Sequence, residues 1–128
     1  EDFQSAYDYG SVVIPSRKAL SLGAEEVIKM IPESKNYFVT IDIDGYDMST
    51  APGVGSPSPG GLNYNFVTDV LEGIAKKGNV VAFDLVEVAP QYDPSGITAR
   101  LGGMTMLDFM GFITKEKEKR GQLKAQRR

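Results

Sequence analysis

The chain has 128 residues, of which 41% are hydrophobic and 24% charged, an ordinary balance for one soluble globular domain. It contains no cysteine and no histidine, which excludes disulfides, thiolate and imidazole metal ligands, and histidine-assisted nucleophiles for the chain acting alone. Net charge is −3 but unevenly placed: residues 115–128 hold seven of the fourteen basic groups and two of the seventeen acids, leaving the body at −8 and the tail at +5.

A basic tail without interleaved aromatic residues reads as a solvated helix end, not a nucleic-acid surface. No apolar run approaches the roughly 18 residues of a membrane span. A cysteine-free composition fits a reducing, cytoplasmic setting. The opening Glu1-Asp2-Phe3 has neither an initiator methionine nor a signal-peptide pattern, and reads as the middle of something longer.

Residues 1–10 are polar and aromatic without a clear period, and irregular structure is expected there. Ser11–Ile14 is a predicted short strand stopped by Pro15. Ser16 can cap a helix from Arg17 to about Ile31, with Leu20, Ala24, Val27, Ile28 and Ile31 on one side. Gly23 is placed to break that helix in two, and Pro32 ends it. A second strand, Tyr37 to Asp42, is apolar and β-branched and runs into Asp42-Ile-Asp44-Gly-Tyr-Asp47.

Strand side chains alternate between faces, so Asp42 and Asp44 are expected to share one face at the strand's C-terminal end. In open α/β sheets that end is where ligands bind. Two carboxylates held so close repel, and a cation relieves them. A metal ion is therefore one reading of these residues, beside a simple turn. An EF-hand loop fails, since its twelfth position would be Gly53, where a glutamate is required. A haloacid dehalogenase-type phosphatase, with Asp42 as nucleophile and Asp44 as general acid, also fits strand-Asp-x-Asp-Gly, although that motif normally continues with threonine and Tyr46 stands here.

Residues 45–62 have the composition of a Gly/Pro/Ser linker, yet Pro52, Pro57 and Pro59 stiffen the loop, and one of this length is usually functional when ordered. Asn63 is placed to cap a helix to Lys77 carrying Phe66, Val67, Val70, Leu71 and Ile74 as its stripe. Val80–Val88 is nearly continuous apolar, the pattern of a strand buried on both faces of a parallel sheet. After a turn-rich loop over residues 89–96, a last helix from Ile97 is expected to bury Ile97, Leu101, Met104, Leu107, Met110 and Ile113. Three strands alternating with helices predict an α/β fold, a parallel sheet with helices on both sides. Its open edges favour self-association, so a homo-oligomer is expected.

Three blocks resemble the ureohydrolase family, the arginases and agmatinases: Thr40-Ile-Asp-Ile-Asp-Gly-Tyr-Asp47, Ala51-Pro-Gly-Val-Gly-Ser-Pro-Ser-Pro-Gly-Gly61, and Phe83-Asp-Leu-Val-Glu-Val-Ala-Pro-Gln-Tyr-Asp-Pro-Ser-Gly-Ile-Thr-Ala99. The third is closest to the agmatinase branch. The phosphatase reading accounts for neither the second nor the third and is demoted. Met48, Thr40 and Ala89 stand where the family usually has proline, serine and asparagine.

The resemblance implies a three-layer α/β/α, arginase-like fold, with residues 1–119 as the C-terminal portion of its domain and residues 120–128 as a frayed basic tail. It implies two manganese ions that lower the pKa of a water between them, for hydrolysis of an agmatine-like guanidino compound to an amine and urea. Asp42 and Asp44 become metal ligands, with Asp42 bridging. Glu87 becomes the acceptor for the substrate guanidinium, against the alternative of an ion pair with Arg100 or a lysine. Asp47 becomes a brace for the loop, and Asp84 a structural residue. The family's remaining ligands, a histidine and an aspartate/histidine cluster, have no counterpart here. A missing N-terminal half or a second chain is therefore the expected partner, with no nucleic acid or membrane, and negligible activity is expected of this chain alone. A non-catalytic fragment or assembly module is the other expectation.

Overall fold

The computed structural model describes residues 2–123. Helix α1 (Asp2–Asp8) leads to the helix pair α2 (Ser16–Leu22) and α3 (Ala24–Met30), then strand β1 (Asn36–Asp42), helix α4 (Tyr64–Lys77), strand β2 (Asn79–Val86) and the long helix α5 (Ile97–Lys119). Gly23 does split α2 from α3, in the left-handed region at φ +83°. The Asn63 side chain caps α4, accepting from the Phe66 amide at 2.9 Å. Residues 2–8 form a helix where irregular chain was expected.

The described residues hold two strands, not three. β1 and β2 pair in parallel from Asn36↔Asn79 to Asp42↔Val86, with one irregularity where Val81 is skipped. Ser11–Ile14 pairs with neither. Ile14 shares the wall of a cavity of about 300 Å3 with Val39 and Ile41 of β1, without a hydrogen-bonded ladder between the two segments.

One face of the sheet carries the core. Tyr37, Val39 and Ile41 alternate inward along β1, where Ile41 joins Leu71, Ile74 and Ala75 of α4, Val80, and Phe109 of α5 in a buried cluster. Each large apolar side chain so buried contributes about 1.5–3 kcal/mol. Phe83 meets Phe109 edge-on, with ring centroids 4.9 Å apart. On the other face Phe38, Thr40, Asp42, Ala82 and Val86 are exposed. The expectation that β2 is buried on both faces is therefore corrected: among the described residues, α4 and α5 cover one side and no helix covers the other.

Helix α5 runs from Ile97 as expected, and Leu101 and Ile113 of the expected stripe pack against the core, but the fully buried positions are others. Thr98, Gly102, Thr105 and Phe109 are buried, whereas Ile97, Met104, Leu107 and Met110 are exposed, Leu107 at 62%. Close approach decides this. A Cβ on Gly102 would lie 3.2 Å from an Ile43 methyl and 3.3 Å from one of Leu85, so the missing side chain lets the helix sit down on the sheet. Thr105 is acceptable there because its hydroxyl hydrogen-bonds the Tyr46 hydroxyl at 2.8 Å and the Leu101 carbonyl at 3.0 Å. The helix ends against its neighbour. Arg120 donates to the carbonyls of Ala75 and Lys76 at the end of α4. The remainder of the basic tail, residues 124–128, lies outside the described residues.

Candidate functional site

β1 stops at Asp42, and the next three residues, Ile43–Gly45, make a 3-10 turn. Asp44 is therefore on a turn, not on the strand as the alternation implied. Ile43 is fully buried beneath the turn, and Tyr46 pins it to α5 through Thr105. The two carboxylates still converge. Asp42 accepts from the Asp44 amide at 3.3 Å. Burial pushes the Asp44 carboxyl above its usual range; the Asp42 charge, a hydrogen bond to Asp42 and the Glu87 charge add to that.

Glu87 directly follows Val86, the register partner of Asp42, so it too stands at the C-terminal end of the sheet. Among the described residues it is the non-glycine residue at positive φ, +66°. Such a conformation costs on the order of 1–3 kcal/mol and persists only where the surroundings enforce it. The strand alternation breaks here, and the exposed Glu87 side chain lies along the 45–62 loop, with Oε2 3.9 Å from where a Cβ on Gly55 would sit. The ion pairs among the described residues join Lys29 to Glu26, Lys76 to Glu72, Lys77 to Glu33 and Lys119 to Glu116. None reaches Asp42, Asp44 or Glu87, so the alternative use of Glu87 in a pair with Arg100 or a lysine is not made there.

The loop itself is ordered by its own backbone. Asp47 accepts from the amide and hydroxyl of Ser49 and from the Gly60 amide, and these bonds hold its carboxyl down to about 2. The Asp47 amide reaches the Leu62 carbonyl, and the Leu62 amide returns to Gly45. Gly61 is required at this crossing, because a Cβ there would lie 2.4 Å from the backbone of Tyr46 and Asp47. Asp47 braces the loop, as expected.

A second set of contacts joins this loop to the one after β2. Gly53 donates its amide to Thr98 Oγ1 at 2.7 Å and accepts at its carbonyl from the Ala89 amide at 2.8 Å. Thr98 in turn donates its amide to Asp93 Oδ2 at 2.7 Å, and the Ser95 hydroxyl binds the other Asp93 oxygen. Ser95, then the Thr98 amide, hold the Asp93 carboxyl below its usual range. Sequence reasoning passed over Asp93 and Thr98. Their signal was present as an acid and a hydroxyl flanking a Pro-Ser-Gly turn where a helix begins, a capping composition read only as a loop.

Asp84 sits on the uncovered face of the sheet, with its Oδ1 shielded from solvent and without a hydrogen-bond partner among the described residues. The site thus gathers Asp42, Asp44 and Glu87 at the ends of two adjacent parallel strands without a neighbouring cation among the described residues. Oxygen donors of this kind suit a hard divalent ion. They do not complete a site. Among the described residues no group of three or more His, Cys, Asp or Glu side chains is placed to hold a metal ion. No helix among them is long and apolar enough to cross a membrane.

The description of the arginase family matches residues 1–111. An agmatinase of Halalkalibacterium halodurans is 41% identical over 96 residues, 74% of this chain and 32% of the relative. A putative agmatinase 3 of Schizosaccharomyces pombe is 32% identical over 117 residues, 89% of this chain and 28% of the relative. Among solved structures, proclavaminate amidino hydrolase from Streptomyces clavuligerus superimposes with a TM-score of 0.81 at 30% identity, covering 88% of this chain and 39% of that one. Arginase from Bacillus caldovelox does so with a TM-score of 0.73 at 26% identity, covering 88% and 38%. The chain spans about a third of the length of the curated relatives it matches.

Proposed function

Because the chain belongs to the arginase family, we propose that it supplies part of a manganese-dependent site that hydrolyses a guanidino compound of the agmatine type to an amine and urea. The observation that carries this reading is the convergence of Asp42 and Asp44 beside Glu87, at the ends of β1 and β2, with no basic side chain among the described residues to neutralise them. Asp42 and Asp44 would hold the manganese. When bound, that ion makes water nucleophilic at neutral pH. Glu87 faces a planar fork of N–H donors with a carboxylate, which fixes the guanidinium in register. Water adds to the guanidine carbon, the bond to the alkyl nitrogen breaks, and that nitrogen leaves as the amine with a proton. The haloacid dehalogenase reading is set aside, since arginase-family membership over residues 1–111 accounts for all three sequence blocks.

The ligand set present is partial, so turnover on this reading needs the remainder of an arginase-type domain, on another segment or another chain. The same observation favours a second reading, a fragment that folds or assembles without chemistry of its own. Urea release from agmatine during a manganese titration separates them. The proposed function requires release when the chain is combined with a polypeptide carrying the rest of such a domain, and negligible release from the chain alone. No release in the combined sample leaves the assembly reading.

A further inference from the structure

We propose that Thr98 is the positioning residue for Glu87, acting through Gly53 and Ala89 without touching substrate. The inference rests on the reading of Glu87 as the guanidinium acceptor and deepens it. Glu87 is held in a left-handed conformation between two fixed points. On one side Val86 pairs with Asp42 in the sheet. On the other, Ala89 donates to the Gly53 carbonyl at 2.8 Å. Gly53 is itself immobilised from its other end, where its amide donates to Thr98 Oγ1 at 2.7 Å. The fit is tight, since a Cβ on Gly53 would lie 2.6 Å from that of Asp93 and 3.0 Å from Thr98 Oγ1. Thr98 cannot drift, being 1% exposed with its amide bonded to Asp93. One hydroxyl on the first turn of α5 therefore fastens the loop carrying Glu87 to the loop that begins at Asp42 and Asp44. This sets the separation between the guanidinium acceptor and the two aspartates.

Thr98→Val keeps shape and removes the acceptor, whereas Thr98→Ser restores it. Amide hydrogen exchange on the 128-residue chain is expected to quicken about tenfold at Gly53 and Ala89 in Thr98→Val, the loss of one buried hydrogen bond. Val39 and Leu71 should be unchanged, and Thr98→Ser should return the native pattern. In the manganese-loaded assembly that releases urea, Thr98→Val should raise KM for agmatine about tenfold with kcat within about twofold, because the aspartates are untouched. Unchanged protection at Ala89, or equal loss across β1 and α4, would overturn the proposal, as would a fall in kcat at constant KM. If Thr98→Val does not fold, Asp93→Ala applies the same test by removing the acceptor of the Thr98 amide, and Ala89 must again exchange faster. A wild-type assembly that never hydrolyses a guanidino compound would sink the proposed function, while the exchange pattern would still report on the clamp.

Discussion

The two faces of the β1–β2 sheet differ sharply in what lies against them. On the face toward α4 and α5, Ile41, Leu71 and Phe109 are buried, and Gly102 lets the helix approach within van der Waals contact of Ile43 and Leu85. On the opposite face Phe38 is 63% exposed, and Asp84 keeps a shielded oxygen with no hydrogen-bond partner among the described residues. The carboxylates of the candidate site stand at the strand ends where these faces meet. There the loops are fastened by Asp47, Gly53 and Thr98, residues of this chain. The described residues thus complete the loops and one layer of the fold, and among them no helix covers the other side of the sheet. The relatives it matches are more than twice as long, and the length beyond the matched share is available there to cover such a face.

That contrast can be broken most strongly from the covered side. Phe109→Ala should cost about 3–5 kcal/mol in denaturant unfolding, because Phe109 is fully buried against Phe83 and α4. Thr105→Val should cost about 1–3 kcal/mol by leaving the buried Tyr46 hydroxyl without its partner, with thermal unfolding as the check. The loop end should respond to acid. Asp47 has its pKa depressed from 3.8 to about 2, so its stabilising contribution is present above 3.8 and is lost as pH falls from there toward about 2. Amide exchange at Ser49 and Gly60 should quicken over that window, and Asp47→Asn should abolish the pH dependence. The smallest effect belongs to the bare face: Phe38→Ser should change unfolding free energy by less than about 0.5 kcal/mol. A large loss there would mean that the face is covered in the isolated chain.

Much of this was legible in the residues. The Asn63 cap, the break at Gly23, the Tyr64–Lys77 helix and the nearness of Asp44 to Asp42 follow from capping chemistry, backbone freedom and strand-end carboxylates, whereas the role read for Glu87 came through the family resemblance. The stripe on α5 was misread because two sets of residues share the helical spacing. Ile97, Met104, Leu107 and Met110 satisfy it with greater hydrophobicity, yet Thr98, Gly102, Thr105 and Phe109 satisfy it with closer approach and paired hydroxyls. Periodicity weighs hydrophobicity and cannot see a hydrogen-bond partner 59 residues away. Ser11–Ile14 failed for a related reason: an apolar β-branched run becomes a strand only when its backbone pairs with another, and among the described residues this one pairs with none. Asp44 kept its place by the pair only because a 3-10 turn returned it toward Asp42.

The claim that Asp42 and Asp44 act together as manganese ligands is tested most directly by manganese binding to the assembled site, followed by spin resonance, in wild type, Asp42→Ala and Asp44→Ala. The account predicts that either substitution weakens manganese binding at least about a hundredfold and abolishes urea release. Wild-type affinity and turnover in either variant would contradict it.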